Sequence, residues 1–308
     1  MKRYAVVFPG QGSQSVGMGQ TILEAYPDTN RFFEEAEAVL KTPLKAICLE
    51  GPAETLTQTA NAQPGIFTVS MALFSLLKAA GLTPAYVAGH SLGEITAYVA
   101  ADVLSLKDGL TVIAARGAAM AAAHPSDRSA MAAVMGMDFD ALASILAPFQ
   151  AEPVVMANIN SPGQIVISGE KDGVTRAIDA IKAQGAKVIP LNVSGAFHSP
   201  LMKPASEALE SAIAPLDFHN AAFPIVLNRS AQPETEAEAL KANLPLQVIS
   251  SVDWVGTLKT LADKVDAFIE CGPGKVLTGL IKKTVPDKPV VTVSDKDSLD
   301  AFLASDWR

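Results

Sequence analysis

The sequence predicts a mixed α/β fold: a large, mostly parallel-sheet domain with a smaller ferredoxin-like domain inserted into it. Three observations lead there. Short apolar runs bounded by glycine and proline alternate with helical patterns along most of the chain, the rhythm of parallel strands covered by helices on both faces. A middle stretch, 128–193, breaks that rhythm and reads strand-helix-strand-strand-helix-strand, the ferredoxin-like order. The length, 308 residues, is more than one compact domain usually holds.

Residues 4–8 are an unbroken apolar run and read as a buried strand, ended by the Gly-rich loop Pro9-Gly10-Gln11-Gly12-Ser13. Two helical stretches follow, the second opening near Thr29 or Asn30 and running to about Leu40. Pro64 suits a first helical turn, and Ile66, Val69, Leu73, Leu76 and Leu77 recur behind it at helical spacing until Gly81. Residues 86–88 read as the next strand, and helices follow over about 92–101 and 106–122. In the middle stretch 130–135, 154–159, 164–168 and 187–191 read as strands, and 138–147 and 171–184 as helices. Ser161-Pro162-Gly163 turns one strand into the next, and Gly185 stops the second helix. A helix over 201–214 and a strand over 223–227 then resume the first rhythm. Helices over 237–249 and 254–262, a strand over 267–270, a helix over 275–284 and a strand over 290–293 complete it. The large domain is therefore expected over 1–127 and 194–308, with the insertion over 128–193.

Hydrophobic residues make up 49% of the chain and charged residues 18%, enough for a sizeable core. The net charge of −8 disfavours nucleic acid, whose phosphates need a basic surface. It leaves open an acidic protein partner that meets a locally basic patch. Cys48 and Cys271 fall in no C-x-x-C pair and read as free thiols in a reducing cytoplasm. The apolar run behind Met1-Lys2-Arg3 is too short for a signal-peptide core. The longest uncharged apolar run, 65–77, is shorter than the roughly 20 residues a bilayer requires, so no membrane partner is expected. No metal-ligand spacing occurs.

The strongest chemical signal is Gly89-His90-Ser91-Leu92-Gly93 between an expected strand and an expected helix. In a nucleophile elbow the glycines remove side chains where the turn would clash, and the serine stands exposed on a tight bend. The helix behind it aims its N-terminal amides at a developing oxyanion. The bland alternative is a structural turn in which Ser91 only caps the helix. This elbow makes the large domain hydrolase-like. A serine nucleophile needs a base, and the chain has four histidines, His90, His124, His198 and His219. His90 is pinned to the turn, and His124 and His219 read as surface residues. His198 follows a loop where the inserted domain hands back to the large one, a place where a cleft forms, so it is the first choice; a core histidine is the alternative. Arg116 sits in a helix with no acid three or four residues away. Taken alone it reads as an arginine that reaches solvent or pairs with a distant acid. Gly272-Pro273-Gly274 reads as a strand-to-helix turn rather than a phosphate loop, since it fits neither nucleotide fingerprint.

Six motifs together resemble the malonyl-CoA:acyl-carrier-protein transacylase family, in that family's order and over nearly the whole chain. They are Phe8-Pro9-Gly10-Gln11-Gly12-Ser13-Gln14, Ala62-Gln63-Pro64 and Gly89-His90-Ser91-Leu92-Gly93-Glu94. Asn160-Ser161-Pro162-Gly163-Gln164, Ala196-Phe197-His198-Ser199 and Gly272-Pro273-Gly274 continue the set. The acyltransferase domains of polyketide and fatty-acid synthases share the pattern.

The resemblance implies that Ser91 is the acylated nucleophile, that His198 is its base, and that Gln247 orients the histidine through its main chain. It implies an oxyanion hole made by the amides of Gln11 and Leu92. It also implies that Arg116 pairs with the malonyl carboxylate and that Gln63 lines the same pocket. Phe197, directly before the histidine, goes with malonyl in such enzymes, where a serine goes with methylmalonyl. The expected substrates are malonyl-CoA and an acyl carrier protein of fatty-acid or polyketide synthesis. No cofactor is expected beyond their pantetheine arms. Carrier proteins are acidic, and Lys282 and Lys283 are the best local basic pair for docking, or else a solvated helix end. A serine thioesterase or esterase with the same elbow, using water as acceptor, is the rival. Ser251 and Asp253 depart from the family, which has a proline and a basic residue in that segment, and this bears on how His198 is supported.

Overall fold

The computed structural model describes residues 2–123, 128–149, 153–191 and 195–306. His124 and the two expected domain boundaries lie outside or at the edges of these segments. The chain runs β1 (Tyr4–Phe8), α1 (Gln20–Ala25), α2 (Asn30–Leu40), α3 (Leu44–Glu50), α4 (Ala53–Thr57) and α5 (Thr59–Ala79). It continues through β2 (Tyr86–Gly89), α6 (Leu92–Ala100), α7 (Leu106–Ala123), β3 (Ser129–Met135) and α8 (Phe139–Leu146). Then come β4 (Val155–Ser161), β5 (Gln164–Glu170), α9 (Lys171–Ala183), β6 (Lys187–Pro190), α10 (Lys203–Ile213), β7 (Ile225–Val226) and β8 (Pro233–Glu234). The last elements are α11 (Ala237–Gln247), β9 (Val252–Asp253), α12 (Trp254–Ala262), β10 (Ala267–Cys271), α13 (Val276–Thr284), β11 (Val290–Val293) and α14 (Lys296–Ala304).

Six strands form the main sheet in the order β11-β10-β1-β2-β7-β8, parallel except for the last pair. The central strand β1 is buried at every position. Its alternation sends Tyr4, Val6 and Phe8 into one apolar cluster and Ala5 and Val7 into another. The first cluster packs α2, α5, α6, α7 and α10 on one face; the second packs α12 and α13 on the other. Burial on both faces explains why β1 is a continuous apolar run with no polar alternation.

A second sheet runs β6-β3-β5-β4-β9. Its first four strands are antiparallel in the ferredoxin-like order, and α8 and α9 cover one face over a separate core of Val134, Leu142, Ile165, Ile167, Val174 and Ile181. The fifth strand, β9, comes from the chain after α11 and pairs in parallel with β4 through Asn158 and Ile159. The residues before the helix α12 thus bind the two sheets together.

The fold departs from the sequence expectation in several places, the unexpected short strands β8 and β9 among them. Helix α5 begins at Thr59, so Pro64 lies inside it rather than in its first turn. The preceding residues are small or polar and carry no apolar period, which is why the pattern starts only at Ile66. Helices α3, α4 and α14 were not expected, although Asp295 and Ser298 form a reciprocal capping box ahead of the buried Leu299 and Phe302 of α14. The strand at 223–227 shrinks to β7. Helix α5 is also long and apolar enough to cross a membrane, but 83% of the relevant window is buried inside the protein.

The turn between β2 and α6 depends on backbone contacts. A Cβ on Gly93 would overlap the Phe8 carbonyl, and one on Gly89 would overlap the Gly93 carbonyl. Gly93→Ala should therefore cost about 3 kcal/mol or more, because backbone cannot retreat as a flexible side chain can. Gly279 of α13 meets nothing within 4 Å, so Gly279→Ala should stabilise the protein by about 0.5–1 kcal/mol through helix propensity. Urea midpoints of both variants check the pair; a tolerated Gly93→Ala would show that the elbow can shift.

Candidate active site

Two residues, His90 and Ser91, make the whole turn from β2 into α6. Ser91 has φ 53° and ψ −104°, a conformation rare for any residue but glycine. Such a residue costs on the order of 1–3 kcal/mol and persists only when its surroundings hold it. His90 donates its N–H to the Phe8 carbonyl (3.0 Å), and Gly93 N–H returns to the His90 carbonyl (2.9 Å). Ser91 N–H goes to Asn228 Oδ1 (2.7 Å), and Asn228 Nδ2 donates to the Gly89 carbonyl (2.7 Å). The bend pushes Ser91 Oγ into a cavity of about 290 Å³ whose walls include Gln11, Gln63, Leu92, Phe197 and His198. A larger open cleft of about 930 Å³ lies beside residues 25–34 and holds neither Ser91 nor a histidine.

His198 Nε2 lies 2.8 Å from Ser91 Oγ. Its Nδ1 lies 3.1 Å from the carbonyl oxygens of both Gln247 and Ser250. Carbonyls only accept, so Nδ1 carries the proton and Nε2 presents its lone pair to the serine hydroxyl. No carboxylate hydrogen-bonds this imidazole among the described residues. Burial first, and then the positive charge of Arg116, push its pKa down to about 3, so the ring is neutral at physiological pH.

Arg116 lies on the buried stripe of α7, in register with Val112, Ile113 and Met120, where an apolar residue would be the norm. Its side chain is 1% exposed. Nη1 donates to Gln63 Oε1 (3.0 Å); Nη2 donates to Ser91 Oγ (2.9 Å) and Gln247 Oε1 (3.1 Å). Its Nε has no partner among the described residues, and no carboxylate there lies within ion-pair distance of it. Burial lowers its pKa to about 10, which still leaves it charged. The opposing charge that acts on it comes from the fully buried Glu94, whose carboxyl burial pushes up to about 7, against hydrogen bonds from Asn228, Gln247 and Asn243 and the field of Arg116, so that it is only partly ionised near neutral pH. A desolvated guanidinium with a spare donor beside a nucleophilic oxygen is a receptor for an anionic group.

The structure therefore brings Ser91, His198, Gln247, Gln11, Leu92, Arg116, Gln63 and Phe197 to one place. Gln247 contributes more than its carbonyl, because Nε2 also donates to the Ser91 carbonyl (3.0 Å). The main-chain N–H groups of Gln11 and Leu92 have no acceptor among the described residues, and both residues line the cavity. Lys282 and Lys283 are exposed at the end of α13 and line no part of it. His90 is occupied elsewhere: Nε2 lies 2.8 Å from Asn160 Oδ1 on β4, and the ring edges onto Trp254. The turn at Gly272 to Gly274 holds no free helix end, since Glu270 accepts from Leu277 N–H (2.9 Å) and Thr278 N–H (2.7 Å).

The segment that departs from the family pattern finds its own bonds. Ser251 Oγ donates to the Met156 carbonyl (2.5 Å), and Asp253 caps α12 through Gly256 N–H (2.8 Å). Sequence reasoning missed Asn228, Asn243 and Ser250, and gave no role to Glu94. The only signal for Glu94 was a carboxylate in the otherwise apolar helix that follows the elbow.

The field of Arg116 on His198 can be measured. In Arg116→Ala the repulsion disappears, so the imidazole should titrate at higher pH than in the unaltered protein, whose ring stays neutral until well below the ordinary histidine range. Heteronuclear NMR of the His198 ring nitrogens checks this; an unmoved titration would mean that burial alone sets it.

The acyl transferase domain family model matches residues 5–301. A malonyl CoA-acyl carrier protein transacylase of Bacillus subtilis is 45% identical over 307 residues, covering 98% of this chain and 97% of that protein. Its counterpart in Staphylococcus aureus is 40% identical over 310 residues, covering 99% and 100%. Among solved structures, an acyl carrier protein S-malonyltransferase from Vibrio cholerae superposes with a TM-score of 0.94 at 41% identity, covering 97% and 99%. A malonyl-transacylase solved in complex with a type II PKS acyl-carrier protein gives 0.94 at 38% identity, covering 98% and 99%. With its elbow and histidine in one cavity and its buried arginine bonded to the elbow serine, the chain belongs to the acyl transferase domain family.

Proposed function

We propose that this protein transfers the malonyl group of malonyl-CoA to the pantetheine thiol of an acyl carrier protein, through a malonyl ester on Ser91. The observation that carries this reading is the buried guanidinium of Arg116, 2.9 Å from Ser91 Oγ. It offers a carboxylate a desolvated partner beside the nucleophile. The relatives named for malonyl transfer support the same assignment. The free, buried Cys48 and Cys271 suit a reducing cytoplasm.

Malonyl-CoA seats its carboxylate on Arg116 and its thioester carbon over Ser91. His198 Nε2 takes the serine proton as Oγ bonds to that carbon. The oxyanion is received by the N–H groups of Gln11 and Leu92, at the positive end of α6. The intermediate collapses, the C–S bond breaks, and the proton on His198 passes to the departing coenzyme A sulfur. The carrier-protein thiol then enters, gives its proton to His198 and attacks the malonyl ester; Ser91 leaves and recovers the proton. No step calls on a further cofactor. His198 is oriented by carbonyls where a carboxylate would favour hydrolysis, which supports transfer over the thioesterase alternative.

Intact-mass measurement after mixing with malonyl-CoA should show one adduct on the peptide holding Ser91, and none in Ser91→Ala; an adduct that persists there overturns the reading. Arg116→Ala should lose malonyl transfer by about 2–5 kcal/mol in kcat/KM terms, with acetyl transfer falling far less. Arg116→Lys should recover little, because an ammonium lacks the planar fork. Equal losses for malonyl-CoA and acetyl-CoA would remove the carboxylate role.

Phe197 is buried against the cavity beside His198. Its ring would occupy the space an α-methyl group needs, a conflict worth about 1–3 kcal/mol. Phe197→Ser should raise the ratio of methylmalonyl to malonyl kcat/KM; an unchanged ratio would show that this ring does not gate the substituent.

A further inference from the structure

Two polar main-chain groups of the elbow, the N–H of Ser91 and the C=O of Gly89, meet a side chain. One side chain takes both. Asn228, two residues beyond β7, accepts from Ser91 N–H through Oδ1 and donates to the Gly89 carbonyl through Nδ2, each at 2.7 Å. A carboxamide places a donor and an acceptor on one carbon, and here only one of its two orientations fits, since Ser91 N–H can only donate and the Gly89 oxygen can only accept.

Asn228 is itself fixed. It is fully buried; its N–H donates to Glu94 Oε2 (2.6 Å), and its carbonyl accepts from Asp253 N–H (2.9 Å). Glu94 belongs to the first turn of α6, and its other oxygen accepts from Asn243 Nδ2 (2.8 Å). The helix behind the serine and the strand before it are thus both referred to the same asparagine.

This has a chemical consequence. With its N–H held by Asn228, Ser91 cannot offer that group to an oxyanion, so the unpartnered amides of Gln11 and Leu92 are the ones left facing the cavity. The same bond holds the serine at φ 53°, the conformation that puts Oγ 2.8 Å from His198 Nε2. We infer that Asn228 is a positioning residue for acyl transfer: its carboxamide clamps both sides of the elbow and sets Ser91 against its base and oxyanion donors. The inference rests on Ser91 being the nucleophile.

Asn228→Asp tests it through pH. In this variant the ionised side chain has two acceptor oxygens, one forced against the Gly89 carbonyl. The protonated acid has an O–H to donate to that carbonyl and a C=O to accept Ser91 N–H, the same shape as the amide. The charged groups around position 228 are Glu94 on α6, Asp253 at the head of α12 and Arg229 next in the chain. Burial and Glu94 favour the protonated acid, so the competent form gains population as pH falls. In single-turnover malonylation the maximal rate of the variant should lie about 100-fold below the unaltered protein near pH 8. The deficit should shrink as pH falls towards about 5.5, while the half-saturating malonyl-CoA concentration stays the same, because Asn228 bonds neither Arg116 nor Gln63 and does not itself line the cavity. A structural defect alone would lower the rate by a factor that does not recover with acid. A constant ratio of variant to unaltered rate, or a rate within about twofold near pH 8, overturns the inference. Asn228→Ala, checked for folding by circular dichroism, should be slow at every pH; malonylation within about twofold of normal also overturns it, and this variant decides if the aspartate variant does not fold. Failure of the unaltered protein to form any Ser91 adduct would instead strike the functional reading itself.

Discussion

Everything at this site follows from one close approach of main chain to main chain. Gly93 lies against the Phe8 carbonyl and Gly89 against the Gly93 carbonyl, and this contact is what bends the chain sharply enough to lift Ser91 out of the sheet. A strand that ended less abruptly would start α6 farther out, and its first amide would no longer face the cavity. The approach requires β2 beside β1, with Phe8 in register with Gly89. It also draws the loop after β1, with Gln11, to the rim of the same cavity. The unpartnered amides of Gln11 and Leu92 meet from two distant parts of the sequence because β1 and β2 are neighbours in a parallel sheet, whose strand ends gather on one edge.

The second constraint is electrostatic. Arg116 and Glu94 are both withdrawn from water, and neither has an ion-pair partner at contact distance among the described residues. Burying charge in this way is costly unless hydrogen bonds replace the lost solvent, and the amides of Gln63, Gln247, Asn228 and Asn243 do so. Arg116 also depresses the basicity of His198. A carboxylate seated on Arg116 acts on the imidazole with the opposite sign and offsets that repulsion. On the proposed reading the base would be weakest in the empty site and would gain strength when an anionic acyl group arrives, so one cation would serve both recognition and timing.

Much of this was legible in the sequence because it is local. The apolar run of β1, the glycines of the elbow and the period of α7 are each decided within a few residues, and the ordered motifs located Ser91, His198 and Arg116. What was illegible depends on distance. Asn228 is an asparagine after a two-residue strand, and nothing in Leu227-Asn228-Arg229 marks it as a partner of residues 137 positions earlier. Gln247 was placed for its carbonyl alone, yet its side chain bridges Arg116 and Ser91. The start of α5 was hidden for another reason: residues 59–63 are helical, with Ala62 and Gln63 buried and Gln63 on the cavity wall, yet they carry no apolar period of their own.

The segment after α11 shows why a departure from a family pattern need not disturb chemistry. His198 takes its orientation from two carbonyls, of Gln247 and Ser250, so what matters is where the backbone runs. Ser251 anchors that backbone to β4 through its hydroxyl, and Asp253 anchors it by starting α12 and by donating its N–H to Asn228. Neither contact needs the proline or the basic residue. Orientation by carbonyls also suits the charges of the site. In the proposed transfer the malonyl carboxylate and the oxyanion would form a group of negative charges beside Arg116. A carboxylate behind the imidazole would add one more negative charge to that group and raise the cost of the oxyanion. Main-chain oxygens supply the same direction with only partial charge, which keeps the ring in its productive tautomer while leaving the field of Arg116 for the substrate.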